Sequence, residues 1–155
     1  MTKRKEALRQ SELFASLDDE VIDQFASAAE MQERSEGDII FVELEENEDI
    51  YFLIDGTVRL EVKIAGNEHA KEIAILESGV PFGLNSFIEL GPRLTTAVAT
   101  SPVKLLKWKA NDWRAICNDR PDVGYHLCRY IARTLAVAFM KERLSLLDHM
   151  EWGLE

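Results

Sequence analysis

Cysteine and histidine are scarce in this 155-residue chain. Its two cysteines, Cys117 and Cys128, show neither C-x-x-C metal spacing nor a disulfide framework, and they read as buried free thiols in helical segments. The three histidines cannot supply the inward cluster of His and carboxylate ligands that a cupin-type metalloenzyme needs. His69 falls in a predicted hairpin loop, while His126 and His149 lie about six turns apart on one predicted helix. Only the nearness of His126 to Cys128 speaks for a haem sensor, and all three histidines are read as exposed or packing residues.

Basic charge is also in deficit. Eighteen Lys and Arg stand against 28 Asp and Glu, a formal net charge of -10. That field repels polyanions and anionic lipid, so neither nucleic acid nor a membrane is an expected partner. The one basic cluster, Lys3, Arg4, Lys5 and Arg9, reads as a solvated helix face. No run approaches the ~20 apolar residues that span a bilayer, and no signal-peptide pattern opens the chain. A cytoplasmic location is expected.

What is present is a hydrophobic content of 46%, enough for one ordinary core. A single domain over 1–155 is expected, with a β-barrel at about 30–108 and C-terminal helices at about 109–148. Asp18 and Asp19 ahead of Val21, Ile22, Phe25, Ala26 and Ala29 form an N-cap and acidic first turn leading an amphipathic helix. From Gly37 to Trp108 short β-branched and aromatic runs alternate with turn residues, the texture of antiparallel β-structure. Asp55-Gly56 between Ile50 to Ile54 and the alternating Val58, Leu60, Val62 and Ile64 predicts a type I′ hairpin. Further strands are predicted at 39–42, 71–76, 95–100 and 103–108, with turns at Gly66-Asn67, Ser78-Gly79 and Ser101-Pro102.

Helical patterns resume at 111–117 and from Pro121 to about Asp148, the latter roughly 40 Å long at ~1.5 Å per residue. Within it, Leu135 to Met140 are six consecutive apolar positions that cover the whole circumference. One barrel cannot bury every side of such a helix, so a second copy is expected to cover the rest. Trp108, Trp113, Phe25, Phe41 and Phe52 fall at core spacings and read as packing, not as a nucleobase platform.

One segment suits an anion: Phe82-Gly83-Leu84-Asn85-Ser86, then Gly91-Pro92-Arg93. A glycine allows close approach to the backbone, the first N–H groups of a short helix are free, and an arginine adds a bidentate cation. The plainer alternative is that Gly83 serves a tight turn and Arg93 pairs with an acidic neighbour.

From about Leu13 to Leu146 the chain resembles the cyclic-nucleotide-binding domains of the catabolite activator protein, protein kinase A regulatory subunits and nucleotide-gated channels. The resemblance rests on Leu13-Phe14 with Leu17, Gly37 with Phe41, Tyr51-Phe52 with Gly56-Thr57-Val58, Leu76 with Gly79, Phe82-Gly83, Pro92-Arg93 with Ala99, and Pro121-Asp122. It implies an α+β fold, mainly β: an antiparallel jelly-roll-like β-barrel flanked by N-terminal helices and a long C-terminal dimerisation helix. Ala132-Arg133-Thr134-Leu135 is similar to part of that helix.

The resemblance places the phosphate on Arg93 and on the backbone of Leu84, Asn85 and Ser86 beside Gly83. Leu60, Ile73, Ala74, Leu94, Thr95, Ala138 and Phe139 complete the implied ligand-contacting set. The pattern is degenerate. The family's ribose-binding acid is Leu84 here, its following apolar residue is Asn85, and Leu94 succeeds the arginine. The Thr and Ser that reach the purine from the dimer helix map onto Ala138 and Phe139. These changes remove hydrogen bonds of about 0.5 to 1.5 kcal/mol each and weaken ordinary cyclic AMP recognition.

The function expected is a non-enzymatic regulatory module that binds a cyclic nucleotide, cyclic AMP or cyclic GMP, or another phosphate-bearing effector, with no resident cofactor. The alternative is a ligand-free domain that dimerises or docks an effector protein. Bacterial relatives carry a helix-turn-helix after the dimer helix, but few residues follow Asp148, so no DNA binding is expected.

Overall fold

The computed structural model describes the backbone of residues 2–152 and the side chains of residues 3–147. Two helices, α1 (Thr2–Arg9) and α2 (Asp19–Ala28), lead into eight strands: β1 (Glu30–Arg34), β2 (Ile39–Phe41), β3 (Asp49–Asp55), β4 (Val58–Val62), β5 (Lys71–Leu76), β6 (Pro81–Phe82), β7 (Thr96–Ala99) and β8 (Val103–Lys109). Two more helices close the chain, α3 (Ala110–Asp119) and α4 (Pro121–Trp152). The strands form two antiparallel sheets, ordered β1-β8-β3-β6 and β2-β7-β4-β5, in a jelly-roll-like arrangement. Among the described residues no ladder joins the sheets, so the expected barrel is an open two-sheet structure.

Strand alternation builds two cores from the same two strands, β3 and β8. Ile50 and Phe52 of β3 and Leu106 and Trp108 of β8 pack toward the helices. Tyr51, Leu53 and Leu105 point the other way, into a core with Ile40, Phe41, Val58, Phe82, Ala97 and Ala99. A strand buried on both faces must read as a continuous apolar run, and Ile50 to Ile54 does. On the helix side, Phe14, Phe25, Trp108 and Trp113 form edge-to-face and tilted contacts. The Trp108 indole N–H donates to the Phe25 carbonyl at 2.7 Å.

The predicted 50–64 hairpin does not form. β3 pairs with β8 and β6, whereas β4 pairs with β5 and β7, so Asp55-Gly56 is a corner between sheets. Both edges of β3 are already taken, and the corner is fastened to the neighbouring one. The Thr57 N–H donates to Ser101 Oγ at 3.0 Å, the Thr100 N–H donates to the Thr57 carbonyl at 3.0 Å, and the two threonine hydroxyls meet at 2.7 Å. The actual hairpin is β4–β5, whose connecting loop carries the exposed His69.

Three further readings are corrected. The N-terminal basic cluster is not simply solvated: Arg4 donates to the Ala26 and Ala29 carbonyls at the end of α2, while Lys5 and Arg9 pair with Asp23 and Asp19. Cys128 is exposed because, among its described side chains, α4 buries only the stripe Val123, Leu127 and Ile131. Cys117 is half-buried, and burial pushes its thiol up to about 11. Strand β1 escaped the sequence reading because Glu-Met-Gln-Glu-Arg lacks a β-branched residue. It is a charged edge strand, with Glu30 paired to Lys107 at 3.4 Å.

Asp18 caps α2 as expected, accepting the Val21 N–H at 3.0 Å. His126 packs through a hydrogen-bond contact of 2.8 Å between Nε2 and the Leu13 carbonyl oxygen. The side chains of His149 and Trp152 lie outside the described residues. Among the described residues no helix is long and apolar enough to cross a membrane, and no cluster of metal-ligating side chains occurs.

Candidate anion-binding site

Gly83 leaves β6 in the left-handed region at φ +72° and starts a single 3-10 turn, Leu84–Ser86. Only glycine fits there. A Cβ would lie 2.7 Å from Arg93 Nη1 and 3.2 Å from the Asp49 carbonyl oxygen. Ten residues on, Arg93 is tied by its backbone to the loop before β3: the Leu44 N–H donates to its carbonyl at 2.8 Å, and its own N–H donates to the Glu45 carbonyl at 3.0 Å.

That double tie aims the arginine inward, leaving it 1% exposed. Nη1 donates to the Gly83 carbonyl at 3.0 Å and to Asn85 Oδ1 at 3.0 Å. Nη2 donates to Asn47 Oδ1 at 2.8 Å and to the Asp49 carbonyl. Nε is buried without a partner. The guanidinium lies 4.2 Å from the centroid of Phe41 and 6.0 Å from that of Tyr51. Phe41 is thus a platform for the cation as well as core packing.

Among the described residues no carboxylate comes within 4.0 Å of Arg93. Burial pulls its pKa down, and the charges of Tyr51, Asp49 and Glu45 oppose that shift. The plainer alternative, an arginine paired with an acidic neighbour, is therefore not what this side chain does among the described residues.

Asn47 was missed by sequence reasoning, though an Asn in an acidic loop just ahead of a strand is a recognisable Asx-turn signal. Its Oδ1 accepts the Asp49 N–H at 2.8 Å, and its carbonyl accepts the Ser86 hydroxyl at 2.9 Å, so it joins Arg93 to the cassette turn. Ser86 spends its N–H on Gly83 at 3.4 Å, whereas among the described residues no acceptor meets the N–H groups of Leu84 and Asn85. Arg114 holds the far end of the turn, donating to the Ser86 carbonyl at 2.9 Å.

The remaining expected contacts divide. Ile73, Ala74 and Ala138 line a groove of about 530 Å³ between β5 and α4, with Tyr130, Arg133, Val137 and Lys141. Arg93 is not among its walls. Leu84 is half-buried against the helix-side core, and Leu60 packs against the inter-sheet core. Leu94 and Phe139 are exposed, and Thr95 is half-buried.

A sequence profile described as the cyclic nucleotide-binding domain matches residues 31–120, the stretch that holds both sheets, the Gly83 turn and Arg93. The chain belongs to the cyclic-nucleotide-binding domain family. It is 30% identical over 145 residues to the cyclic AMP receptor protein of Thermus thermophilus, covering 93% of this chain but 65% of that protein. The chain thus spans about two thirds of that relative's length. The crystal structure of the Thermus thermophilus catabolite activator protein superposes with a TM-score of 0.76 at 29% identity, over 86% of this chain and 62% of the other. The N-terminal domain of a Streptomyces coelicolor transcriptional regulator gives 0.73 at 29% identity, over 88% and 94%. The chain is accordingly a regulatory module of this family.

Proposed function

We propose that this domain binds a cyclic nucleotide, with the phosphate beside Arg93 and the base carried toward the groove of mixed polarity between β5 and α4, and that it transmits binding through α4 to a second copy. The observation that carries the reading is a buried guanidinium whose hydrogen-bond acceptors, among the described residues, are all neutral oxygens, with no carboxylate within 4.0 Å. A buried cation without a counter-ion is costly, and a phosphate monoanion supplies both the missing charge and additional acceptors. The relative named as a cyclic AMP receptor makes cyclic AMP the first ligand to test.

The dimer reading rests on α4. Every described side chain from 132 to 147 is exposed. Val137, Met140, Leu144 and Leu147 follow the three-then-four spacing of a coiled-coil seam. Calorimetric titration with cyclic AMP and cyclic GMP tests the ligand: a saturable response that disappears in Arg93→Ala is expected, and an unchanged response in that variant refutes the phosphate assignment. A second reading, a ligand-free pairing module, is favoured by one observation: both terminal nitrogens of Arg93 already have protein acceptors. No response to either nucleotide selects it.

A further inference from the structure

The four acceptors around Arg93 are not equally fixed. The Gly83 and Asp49 carbonyls belong to a turn and to a central strand. Asn47 is pinned on both sides, its carboxamide oxygen by the Asp49 N–H at 2.8 Å and its carbonyl by the Ser86 hydroxyl at 2.9 Å. The Asn85 side chain is held more loosely, although its backbone carbonyl accepts the Leu90 N–H at 2.9 Å. Its Oδ1 accepts only from Arg93 Nη1, and its Nδ2 makes one long bond of 3.3 Å to the Pro92 carbonyl. It is half-buried on a one-turn helix, so rotation about its side-chain torsions releases Arg93 without moving the backbone.

We infer that Asn85 is an internal stand-in for the anion, its carboxamide oxygen occupying a guanidinium position that a phosphate oxygen would otherwise take. The inference rests on the cyclic-nucleotide reading above. The unliganded domain is then self-liganded at Arg93, and a ligand must first displace Asn85. Apparent affinity is lowered by the fraction of molecules in which the carboxamide has swung away. Asn85 is thus a residue that sets the threshold for ligand binding.

Calorimetric titration of cyclic AMP and cyclic GMP into the wild-type chain, Asn85→Ala, Asn85→Asp and the double variant Asn85→Ala/Arg93→Ala tests this. Asn85→Ala is expected to bind about tenfold more tightly, the worth of one hydrogen bond to a charged group. Asn85→Asp gives the guanidinium a permanent carboxylate and is expected to lose binding, as is the double variant. Asn85→Leu, which restores an apolar side chain of similar length, replaces the alanine variant if that one does not fold. Wild-type binding that Asn85→Ala leaves unchanged or weakens overturns the stand-in and spares the ligand reading. Absence of binding in both the wild type and Asn85→Ala overturns the two together.

Discussion

The Arg93 guanidinium lies 4.2 Å from the centroid of the Phe41 ring, a cation on the face of a buried aromatic. Phe41 thereby supports the site from below while filling the core between the sheets. Removing the ring takes away both contributions. Phe41→Ala is expected to lower stability by roughly 3–5 kcal/mol in urea unfolding. The conservative Phe41→Tyr keeps the ring face and is expected to retain any nucleotide response that Phe41→Ala loses.

Gly83 and Gly66 separate backbone strain from crowding. Both have positive φ, +72° and +82°, but an added Cβ at Gly66 meets nothing within 4 Å, whereas at Gly83 it meets Arg93 Nη1 at 2.7 Å. Gly66→Ala is therefore expected to cost about 1 kcal/mol for conformation alone. Gly83→Ala is expected to cost more and to dislodge the guanidinium. Chemical denaturation of the two variants measures the difference, and equal losses contradict the close fit.

Arg120 holds the start of α4 to the start of α2, donating to Asp18 at 2.8 Å and to Asp122 at 2.9 Å. The Arg120 hydrogen bond is the main reason that both carboxyls lie below the usual carboxylate range, and the Val21 N–H adds to the effect on Asp18. A depressed folded-state pKa means that the unfolded chain takes up protons first as pH falls. The contribution is complete above the ordinary carboxylate pKa and is lost below about pH 4. Thermal unfolding followed from pH 6 to pH 3 is expected to show a flatter acid decline in Asp18→Ala than in the wild type.

The exposed seam on α4 makes an assembly prediction. Leu144→Asp puts a charge in the middle of the row Val137, Met140, Leu144 and Leu147. Light scattering is expected to show a dimer for the wild type and a monomer for the variant, with unchanged far-ultraviolet circular dichroism. A monomeric wild type contradicts the pairing.

Most of the fold was legible because its signals are local. The Asp18 cap, the apolar Ile50 to Ile54 strand and the start of α4 at Pro121 each follow from residue type and spacing within one element. In the candidate site, Gly83 and Arg93 were legible from the turn they bracket, but Asn47 was not, because it meets Arg93 across 46 residues of sequence. Strand β1 was hidden for a related reason: its residues carry no strand preference, and pairing with β8 holds them extended.

The sequence by itself determined which residues must leave water and where the chain must turn, since burial and backbone freedom are properties of residue type and period. Only the tertiary structure decided that Asp55-Gly56 turns between sheets instead of within one, and that Arg93 faces inward onto carboxamides and carbonyls, with no carboxylate of the described residues within 4.0 Å. A turn signal fixes a change of direction but not a pairing partner. A buried cation's partners are chosen by whichever distant oxygens the packed sheets bring within hydrogen-bond reach.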